Sequence, residues 1–253
     1  MMAASSESAD EAPTTAAFNG GKMEHIFKFG DGEAQNDYQY IDEFHSDEAK
    51  RALEEGSLYF KIDGANGMIK MEDDEQDGRL IGLQRLDTKG KPMPNGCLEL
   101  PPGQNPDTYS MHSYFYDPIT LNVQGKKAIK RNKAMLQIIE NHAEHIRSKM
   151  RESGTDFVSI EWVGAKFNKT PNVPEDVAIA IHSEQVCSDA MERTYGGMRE
   201  YLLEAEQPSE GLIIFHVGKY WKLRSECFDR KCSFITNKAA ARPPVFLAPI
   251  DQS

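Results

Sequence analysis

The chain has 253 residues, a formal net charge of −11 at pH 7 and 39 % hydrophobic residues. This length permits one large domain or two small ones. A protein that coats long nucleic acid through backbone contacts alone is usually basic, so the acidic balance argues against that class. It still permits an enzyme that grips one strand end through a local basic patch. No apolar run approaches the ~20 residues needed to span a bilayer, so no membrane association is expected.

The cysteines and the N-terminal segment indicate an intracellular protein, cytoplasmic or nuclear. The four cysteines (Cys97, Cys187, Cys227 and Cys232) show no CxxC spacing, which favours reduced thiols over a zinc site or a disulfide framework. The N-terminus lacks the basic-then-apolar layout of a signal peptide. Residues 1–20 are small, polar and acidic, and we expect a disordered tail before a single domain over residues 21–253.

Taken in chain order, the first clear signals surround a lysine. Residues 46–55 predict a short helix, capped by Ser46. Alternating apolar residues over 58–62 then predict a strand that delivers Lys61 and Asp63 to a glycine-containing turn. One interpretation is an ordinary hairpin with a solvated lysine. The alternative is a nucleophile, because a lysine amine attacks only when it is neutral, and burial or neighbouring cations favour that form.

Two further strands and an irregular segment are predicted next. Residues 68–71 and 79–87 read as a strand pair joined by a turn at 72–78, with Arg85 and Asp87 on one face of the second strand. Residues 88–120 are rich in proline, glycine and asparagine, and we expect a long irregular excursion.

A one-sided apolar stripe from Ile129 to Met150 predicts one helix over residues 125–150. Its first turns carry a run of cations without acids: Lys126, Lys127, Lys130, Arg131 and Lys133. This run is either a solvated helix face or a patch that binds RNA phosphates.

The C-terminal half predicts strands that carry further charges. Residues 156–163 and 177–181 read as apolar strands, and the first of them contains Glu161. A short helix is predicted over 198–205. Residues 211–217 and 220–223 then form a predicted hairpin, with Glu210 just before it and Lys222 and Arg224 on one face of its second strand.

Charged residues therefore lie within or at the ends of apolar strands at six positions: Lys61, Arg85, Glu161, Glu210, Lys222 and Arg224. Any one of them could face water at a strand edge. Together they predict one cleft, because buried charge is costly unless it is paired, metal-bound or functional. Carboxylates hold Mg²⁺, cations neutralise a triphosphate, and an amine can attack phosphorus, so this set suits nucleotidyl transfer.

The order of these residues resembles a known superfamily. Lys61-Ile-Asp-Gly, SIEWVG around Glu161, Glu210-Gly-Leu-Ile-Ile and Trp221-Lys222-Leu-Arg224 look like motifs I, III, IV and V of the covalent nucleotidyltransferases, over about residues 57–225. Within that superfamily the compact vertebrate-type 5′–3′ RNA ligases look closest. The resemblance implies an α+β nucleotidyltransferase domain, an ATP-grasp-like ligase adenylation fold with antiparallel sheets flanking a nucleotide cleft.

The resemblance also implies a role for each residue of the first two motifs. Lys61 would attack the α-phosphate of a nucleoside triphosphate and form a lysyl-nucleotide phosphoramidate. Asp63 would orient the turn around Lys61. Arg85 would contact sugar or substrate phosphate, and Glu161 would hold the ribose or assist metal binding.

The remaining motifs imply the metal and phosphate ligands. Glu210 would coordinate the catalytic Mg²⁺ (or Mn²⁺). Lys222 and Arg224 would clamp the α-phosphate and stabilise the transition state. The implied cofactor is ATP, and the implied substrates are RNA ends, sealed by a monomer that needs no membrane.

Two alternatives stay open at this point. Family ligases often place an acid next to the lysine to read adenine, whereas Phe60 stands here, so a GTP-using capping guanylyltransferase is one alternative. Such enzymes normally carry an OB domain after motif V, and only 29 residues follow Arg224 (253 − 224), so no C-terminal OB domain is expected. A catalytically inert RNA-binding descendant of the fold is the other alternative.

Overall fold

A computed structural model describes residues 23–30, 39–72, 78–88, 91–99, 114–167, 173–203, 210–229 and 244–250. The helices are α1 (Asp47–Glu55), α2 (Lys126–Asn141), α3 (Ala143–Ser153) and α4 (Tyr195–Leu203). The strands are β1 (Glu24–His25), β2 (Phe27–Phe29), β3 (Tyr40–Phe44), β4 (Ser57–Lys61), β5 (Ala65–Met71), β6 (Leu80–Asp87), β7 (Leu98–Glu99), β8 (Tyr114–Pro118), β9 (Phe157–Val163), β10 (Ala178–Ile181), β11 (Gly211–His216) and β12 (Lys219–Arg224). Among these described helices, none is long and apolar enough to cross a membrane.

Two sheets organise the molecule. One has six strands in the order β10-β9-β5-β6-β8-β7, and the other has four in the order β1-β12-β11-β4. All neighbouring strands run antiparallel except β1 and β12, which are parallel. Strands β2 and β3 form a separate antiparallel pair. The predicted α+β class with antiparallel sheets is therefore confirmed.

Each sheet has one face packed on helices. Alternate residues of β9 point to opposite faces, and Val158, Ile160 and Trp162 join the core shared with α2 and α3. Ser159 and Glu161 consequently lie on the other face of the six-stranded sheet. The four-stranded sheet packs its Leu212, Ile214, Trp221 and Leu223 face on α1 and α4. The opposite faces of the two sheets are left to carry the charged residues.

The predicted helix capped by Ser46 is confirmed as α1. The Ser46 hydroxyl accepts a hydrogen bond from the Ala49 amide at 3.1 Å, and Gly56 ends the helix. Such a cap satisfies a backbone donor that the first helical turn leaves unpaired. The strands predicted around Lys61, Arg85, Glu161 and Glu210 are all present as β4, β6, β9 and β11.

The single helix predicted over 125–150 is wrong: two helices, α2 and α3, meet at His142. The His142 backbone leaves helical geometry (φ −114°, ψ 20°), and its Nε2 lies 2.8 Å from the Ala248 carbonyl oxygen. The apolar stripe continues across this break because both helices pack on the same sheet. Ile129, predicted to begin the stripe, is 41 % exposed.

The irregular excursion predicted over 88–120 is wrong at its C-terminal end. Strand β8 pairs with β6 over five positions, from Leu83–Pro118 to Asp87–Tyr114. Short strands β1, β2 and β3 were also missed in the aromatic segment before α1. The tail at 1–20, most of the turn at 72–78, Cys232 and the last residues of the 198–205 helix lie outside the described residues.

Candidate active site

Lys61, Glu210 and Arg224 meet at one end of the four-stranded sheet. Lys61 Nζ lies 2.5 Å from Glu210 Oε2, and Arg224 Nη2 lies 2.5 Å from Glu210 Oε1. Each oxygen of the Glu210 carboxylate therefore accepts a charge-assisted hydrogen bond, and the side chain is only 13 % exposed. One carboxylate joins two cations that come from different strands.

Strand register explains why these three residues meet. In the ladder, Gly211 pairs with Lys61 of β4 on one side and with Arg224 of β12 on the other. Glu210 directly precedes Gly211, its amide donates to the Lys61 carbonyl at 3.0 Å, and its carbonyl accepts from the Ser225 amide. A Cβ at Gly211 would come within 1.9 Å of the Leu223 carbonyl oxygen, so only glycine fits between the flanking strands.

Neighbouring charges shift the pKa values of Glu210 and Arg224. Burial raises the pKa of the Glu210 carboxyl, but Lys61 and Arg224 outweigh burial and hold this pKa below its ordinary value. Burial likewise lowers the pKa of the Arg224 guanidinium, whereas Glu210 and Glu226 raise it by more. Glu226 Oε1 lies 2.7 Å from Arg224 Nη2, a second carboxylate contact that the sequence did not indicate.

On the six-stranded sheet, Glu161 is held by a hydrogen-bonded chain. His182 Nε2 lies 3.0 Å from Glu161 Oε2, and His182 Nδ1 lies 2.8 Å from the Ser159 hydroxyl. Because an ionised carboxylate can only accept, Nε2 carries the proton in the Glu161 pair. In the neutral ring, Nδ1 then accepts from Ser159, which is fully buried. The chain fixes both the ring and the carboxylate.

Arg85 lies on the same face, two strands away from Glu161. In register, Asn66 of β5 faces Glu161, and Arg85 of β6 faces Tyr116 of β8. Burial raises the pKa of Tyr116 to about 12, with Arg85 opposing and Glu161 adding to that shift. The neutral phenol donates to Asn66 Oδ1 at 3.4 Å, and the Arg85 guanidinium lies 5.0 Å from the Tyr114 ring centre.

The two charged faces are joined directly by the residues that follow Lys61. Ile62 packs with Val163 and Ala180 on the Glu161 side of the six-stranded sheet. A Cβ at Gly64 would lie 2.5 Å from the Trp162 carbonyl oxygen and 2.6 Å from Glu161 Cγ. The turn after the lysine therefore rests against the Glu161 side chain, and it does so only because residue 64 is glycine.

The other predicted residues are placed as follows. Lys222 lies two positions before Arg224 on β12, opposite Ile213, so both cations share one sheet face. Asp63 lies in the link between β4 and β5. The first turns of α2 carry Lys126, Lys127, Lys130 and Arg131 on the other side of the six-stranded sheet.

Two aromatic residues close to the Glu161 strand, His182 and Phe167, are not suited to stack on a nucleobase. His182 is buried and bonded at both ring nitrogens. Phe167 packs against Trp162 in the core beneath the helices. The sequence analysis did not predict Ser159, Asn66 and Tyr116 as site residues. Each is a polar side chain within a strand, which is the same pattern that identified Glu161.

Comparison with models of known protein families finds no match. A search of curated protein sequences finds no significant relative either.

The carboxylates predicted to hold Mg²⁺ do not form a metal site by themselves. No group of three or more His, Cys, Asp or Glu side chains in the described part of the chain is arranged to hold a metal ion. Mg²⁺ is commonly held by one or two carboxylates together with substrate phosphates. Glu210 and Glu161 are the carboxylates that would serve, and Glu210 would have to exchange contacts with Lys61 or Arg224. A bound ion would offset charge on the phosphates.

Proposed function

We propose that the chain is an ATP-dependent RNA ligase that joins a 3′-hydroxyl to a 5′-phosphate through a lysyl-AMP intermediate. The proposal includes the finer fold: a nucleotidyltransferase domain with the nucleotide between the charged faces of the two sheets. The single observation that supports it best is the Lys61–Glu210–Arg224 cluster. By sequence these residues match motifs I, IV and V. They are in contact although 149 positions separate Lys61 from Glu210 along the chain.

In the first step of the proposed reaction, Lys61 is the nucleophile. Its neutral Nζ forms a bond to the α-phosphorus of ATP, the bond from that phosphorus to the bridging oxygen breaks, and pyrophosphate leaves. Without substrate, Glu210 pairs with the Lys61 amine at the end of β4 and favours its charged form. The amine would become available for attack if Glu210 turned to a bound Mg²⁺, with the lysine proton passing to solvent. Arg224 and Lys222 lie where they can balance the charge that develops on the phosphate.

In the next two steps the nucleotide activates an RNA end. The RNA 5′-phosphate attacks the lysyl-AMP, which frees Lys61 and forms an RNA-adenylate. The 3′-hydroxyl of the second RNA end then attacks that activated phosphate, and AMP leaves. Glu161 would position the ribose throughout, because His182 and Ser159 hold its carboxylate in one orientation.

Labelling with radioactive nucleotide tests the proposal. The protein is incubated with α-labelled ATP or GTP and Mg²⁺, denatured and separated on a gel. We expect a covalent label from ATP, and we expect that label to move to a 5′-phosphorylated RNA and leave a sealed product. Labelling from GTP alone would favour the capping alternative, and absence of label with both would favour the inert RNA-binding descendant.

The matched variant for this assay is Lys61→Arg. Arginine can still pair with Glu210, but it stays protonated at all working pH and cannot attack phosphorus. We expect complete loss of the covalent label with the thermal unfolding midpoint little changed. Lys70→Arg is the control, since Lys70 of β5 also pairs with a carboxylate, Asp156 at 3.5 Å. A labelled Lys61→Arg variant would remove Lys61 from the mechanism.

A further inference from the structure

A basic pocket of about 510 Å³ lies between α2 and the segment that links β9 to β10. Its rim carries four cations, Lys127, Lys130 and Arg131 of α2 and Lys166 of the linking segment. Its floor is apolar and includes Ala128 and Val177. Cations around an apolar floor match a ligand that is both anionic and flat, as a nucleotide is.

The charges of α2 are not balanced by neighbouring acids. Five of the eight residues from 126 to 133 are cations, and none of these pairs with a carboxylate among the residues that the structure describes. They are Lys126, Lys127, Lys130, Arg131 and Lys133. Lysines elsewhere, such as Lys28 and Lys149, do pair with glutamates. On α2 the pairs Lys126–Lys130 and Lys127–Arg131 have i,i+4 spacing, where like charges destabilise a helix. An anionic ligand would offset this repulsion.

Among the described lining residues of the pocket there is one acid, and it is paired. Asp176 Oδ2 lies 3.6 Å from Lys166 Nζ, with both side chains about half exposed. Such an exposed pair is weak, so Lys166 can turn to a phosphate at little cost. Arg131 lies over the Phe167 ring, 5.8 Å from its centre, which holds the guanidinium at the rim. The pocket therefore keeps a net positive charge in a protein whose total charge is −11.

The pocket lies at the end of β9 that carries Glu161. Lys166 follows Glu161 by five residues, so their Cα atoms are within about 18 Å of each other even if the chain is fully extended. The pocket opens on the helix side of the sheet, and Glu161 faces the opposite side. A strand that leaves the candidate active site around this sheet end would reach the rim.

We propose that this pocket binds one nucleotide of a single-stranded RNA outside the active site, with its phosphate on the cationic rim and its base on the apolar floor. This inference rests on the proposed function for its substrate class, and it adds the path that the RNA strand follows. RNA is chosen because strand recognition combines phosphate contacts with contacts to an unstacked base, and the pocket offers both.

The test measures equilibrium binding of a fluorescein-labelled oligouridylate of about a dozen nucleotides to the full chain without ATP. We compare Lys127→Ala/Lys130→Ala with Lys126→Ala/Lys133→Ala. Both doubles remove two charges from α2, but only the first removes lining residues of the pocket. The pocket double should weaken binding by about tenfold and reduce the slope of log affinity against log salt by about 1.4, or 0.7 for each lost phosphate contact. The control double should lose clearly less.

A filling variant tests the floor without changing charge. Ala128→Phe should place a ring where the base would lie and weaken oligouridylate binding by about tenfold. Thermal unfolding midpoints close to that of the wild type show that each variant is folded. Equal losses of affinity in the two double lysine variants would show that binding depends only on the overall positive charge of α2, and would overturn the proposal. Full binding by Ala128→Phe, or no binding by the wild type, would overturn it as well.

The RNA-binding test of this pocket and the labelling test of the ligase proposal can fail independently of each other. Oligouridylate binding is measured without nucleotide, whereas the ligase proposal is decided by covalent labelling of the wild type with ATP. A wild type that binds RNA through the pocket but forms no lysyl-AMP would contradict the ligase proposal alone. A wild type that forms lysyl-AMP but binds RNA independently of the pocket would contradict this inference alone.

Discussion

The imidazole of His182 is bonded to the carboxylate of Glu161, with 3.0 Å between Nε2 and Oε2. Both side chains are almost wholly buried, at 8 % and 12 % exposure. His182 directly follows the apolar strand β10 (Ala178–Ile181), and Glu161 lies on the neighbouring strand β9. A residue that donates a hydrogen bond to a carboxylate also orients it, and so determines where the carboxylate can accept a hydrogen bond from a substrate hydroxyl.

We predict that His182→Ala raises the KM for ATP in lysyl-AMP formation by about tenfold, the effect of losing one well-placed hydrogen bond. The kcat should change less, because His182 acts through Glu161. His182→Gln can still donate toward Glu161 and should recover part of the affinity. A purely structural role would instead lower the unfolding midpoint and the active fraction of the protein, with an unchanged KM.

His145 provides the control for this experiment. Its Nε2 lies 2.8 Å from Glu184 Oε1, a similar histidine–glutamate pair that joins α3 to the residues after β10 and includes none of the predicted site residues. His145→Ala should leave the KM for ATP at the wild-type value. If the two histidine variants shift the KM equally, the His182–Glu161 pair has no special role in nucleotide binding.

A second prediction concerns Glu210. Glu210→Gln keeps the size of the side chain but removes the charge that balances Lys61 and Arg224 and that would hold Mg²⁺. We expect lysyl-AMP formation at limiting Mg²⁺ to slow by about a hundredfold, the usual cost of losing one preorganised electrostatic group. Raising Mg²⁺ or Mn²⁺ should recover part of the rate, because the weakened site then fills by mass action.

The matched control is Glu184→Gln. Glu184 is also a mostly buried carboxylate, 17 % exposed, and it pairs with His145 and Lys149. Its loss should change the stability of the protein but not the metal dependence of the reaction. Normal lysyl-AMP formation by Glu210→Gln at limiting Mg²⁺ would show that Glu210 is not a metal ligand.

A third prediction concerns acid stability. The pKa of Glu210 is held below its ordinary value of 4.5, so its ion pairs stabilise the fold fully above about pH 4.5. That stabilisation is lost as the pH falls through the lower pKa of the folded state. The difference in unfolding free energy between wild type and Glu210→Gln should therefore be constant near neutral pH and shrink in acid. Chemical denaturation at several pH values measures it, and a difference that grows in acid would contradict the ion-pair assignment.

A fourth prediction concerns the turn after Lys61. Gly64→Ala would push a methyl group into the Trp162 carbonyl and the Glu161 side chain, which should cost about 1–3 kcal/mol and slow lysyl-AMP formation. Gly196→Ala is the control, because a Cβ there meets nothing within 4 Å and Gly196 lies in helix α4. The control should be neutral or slightly stabilising. Equal stability of the two variants would show that a methyl group can be accommodated at position 64.

Local patterns predicted most of the strands and the central cluster of the site. The alternation around Lys61 and the apolar run after Glu210 are properties of neighbouring residues, and charge inside such runs requires a partner. This argument predicted that six charged residues would line one cleft, and three of them, Lys61, Glu210 and Arg224, are in contact. It could not say which cation would contact which carboxylate.

The features that were missed depend on which segments become neighbours. The break at His142 is accompanied by a hydrogen bond to the Ala248 carbonyl, 106 positions away. Strand β8 forms by pairing with β6 on one side and β7 on the other. The chain Ser159–His182–Glu161 requires β9 and β10 to pair in one register. Periodicity within one segment carries no information on such pairings.

The short link between β4 and β5 has a mechanical consequence. Lys61 ends one sheet and Ala65 begins the other, so these two Cα atoms can never be more than about 14 Å apart. Strand β4 is also tied to the segment that follows β10, because the Phe60 amide donates to the Gln185 carbonyl at 2.7 Å and the Cys187 amide donates to the Leu58 carbonyl at 2.9 Å. The two sheets are therefore joined at several points along β4. A movement of one sheet against the other would leave Lys61 and Glu161, which lie on either side of Gly64, at nearly the same spacing.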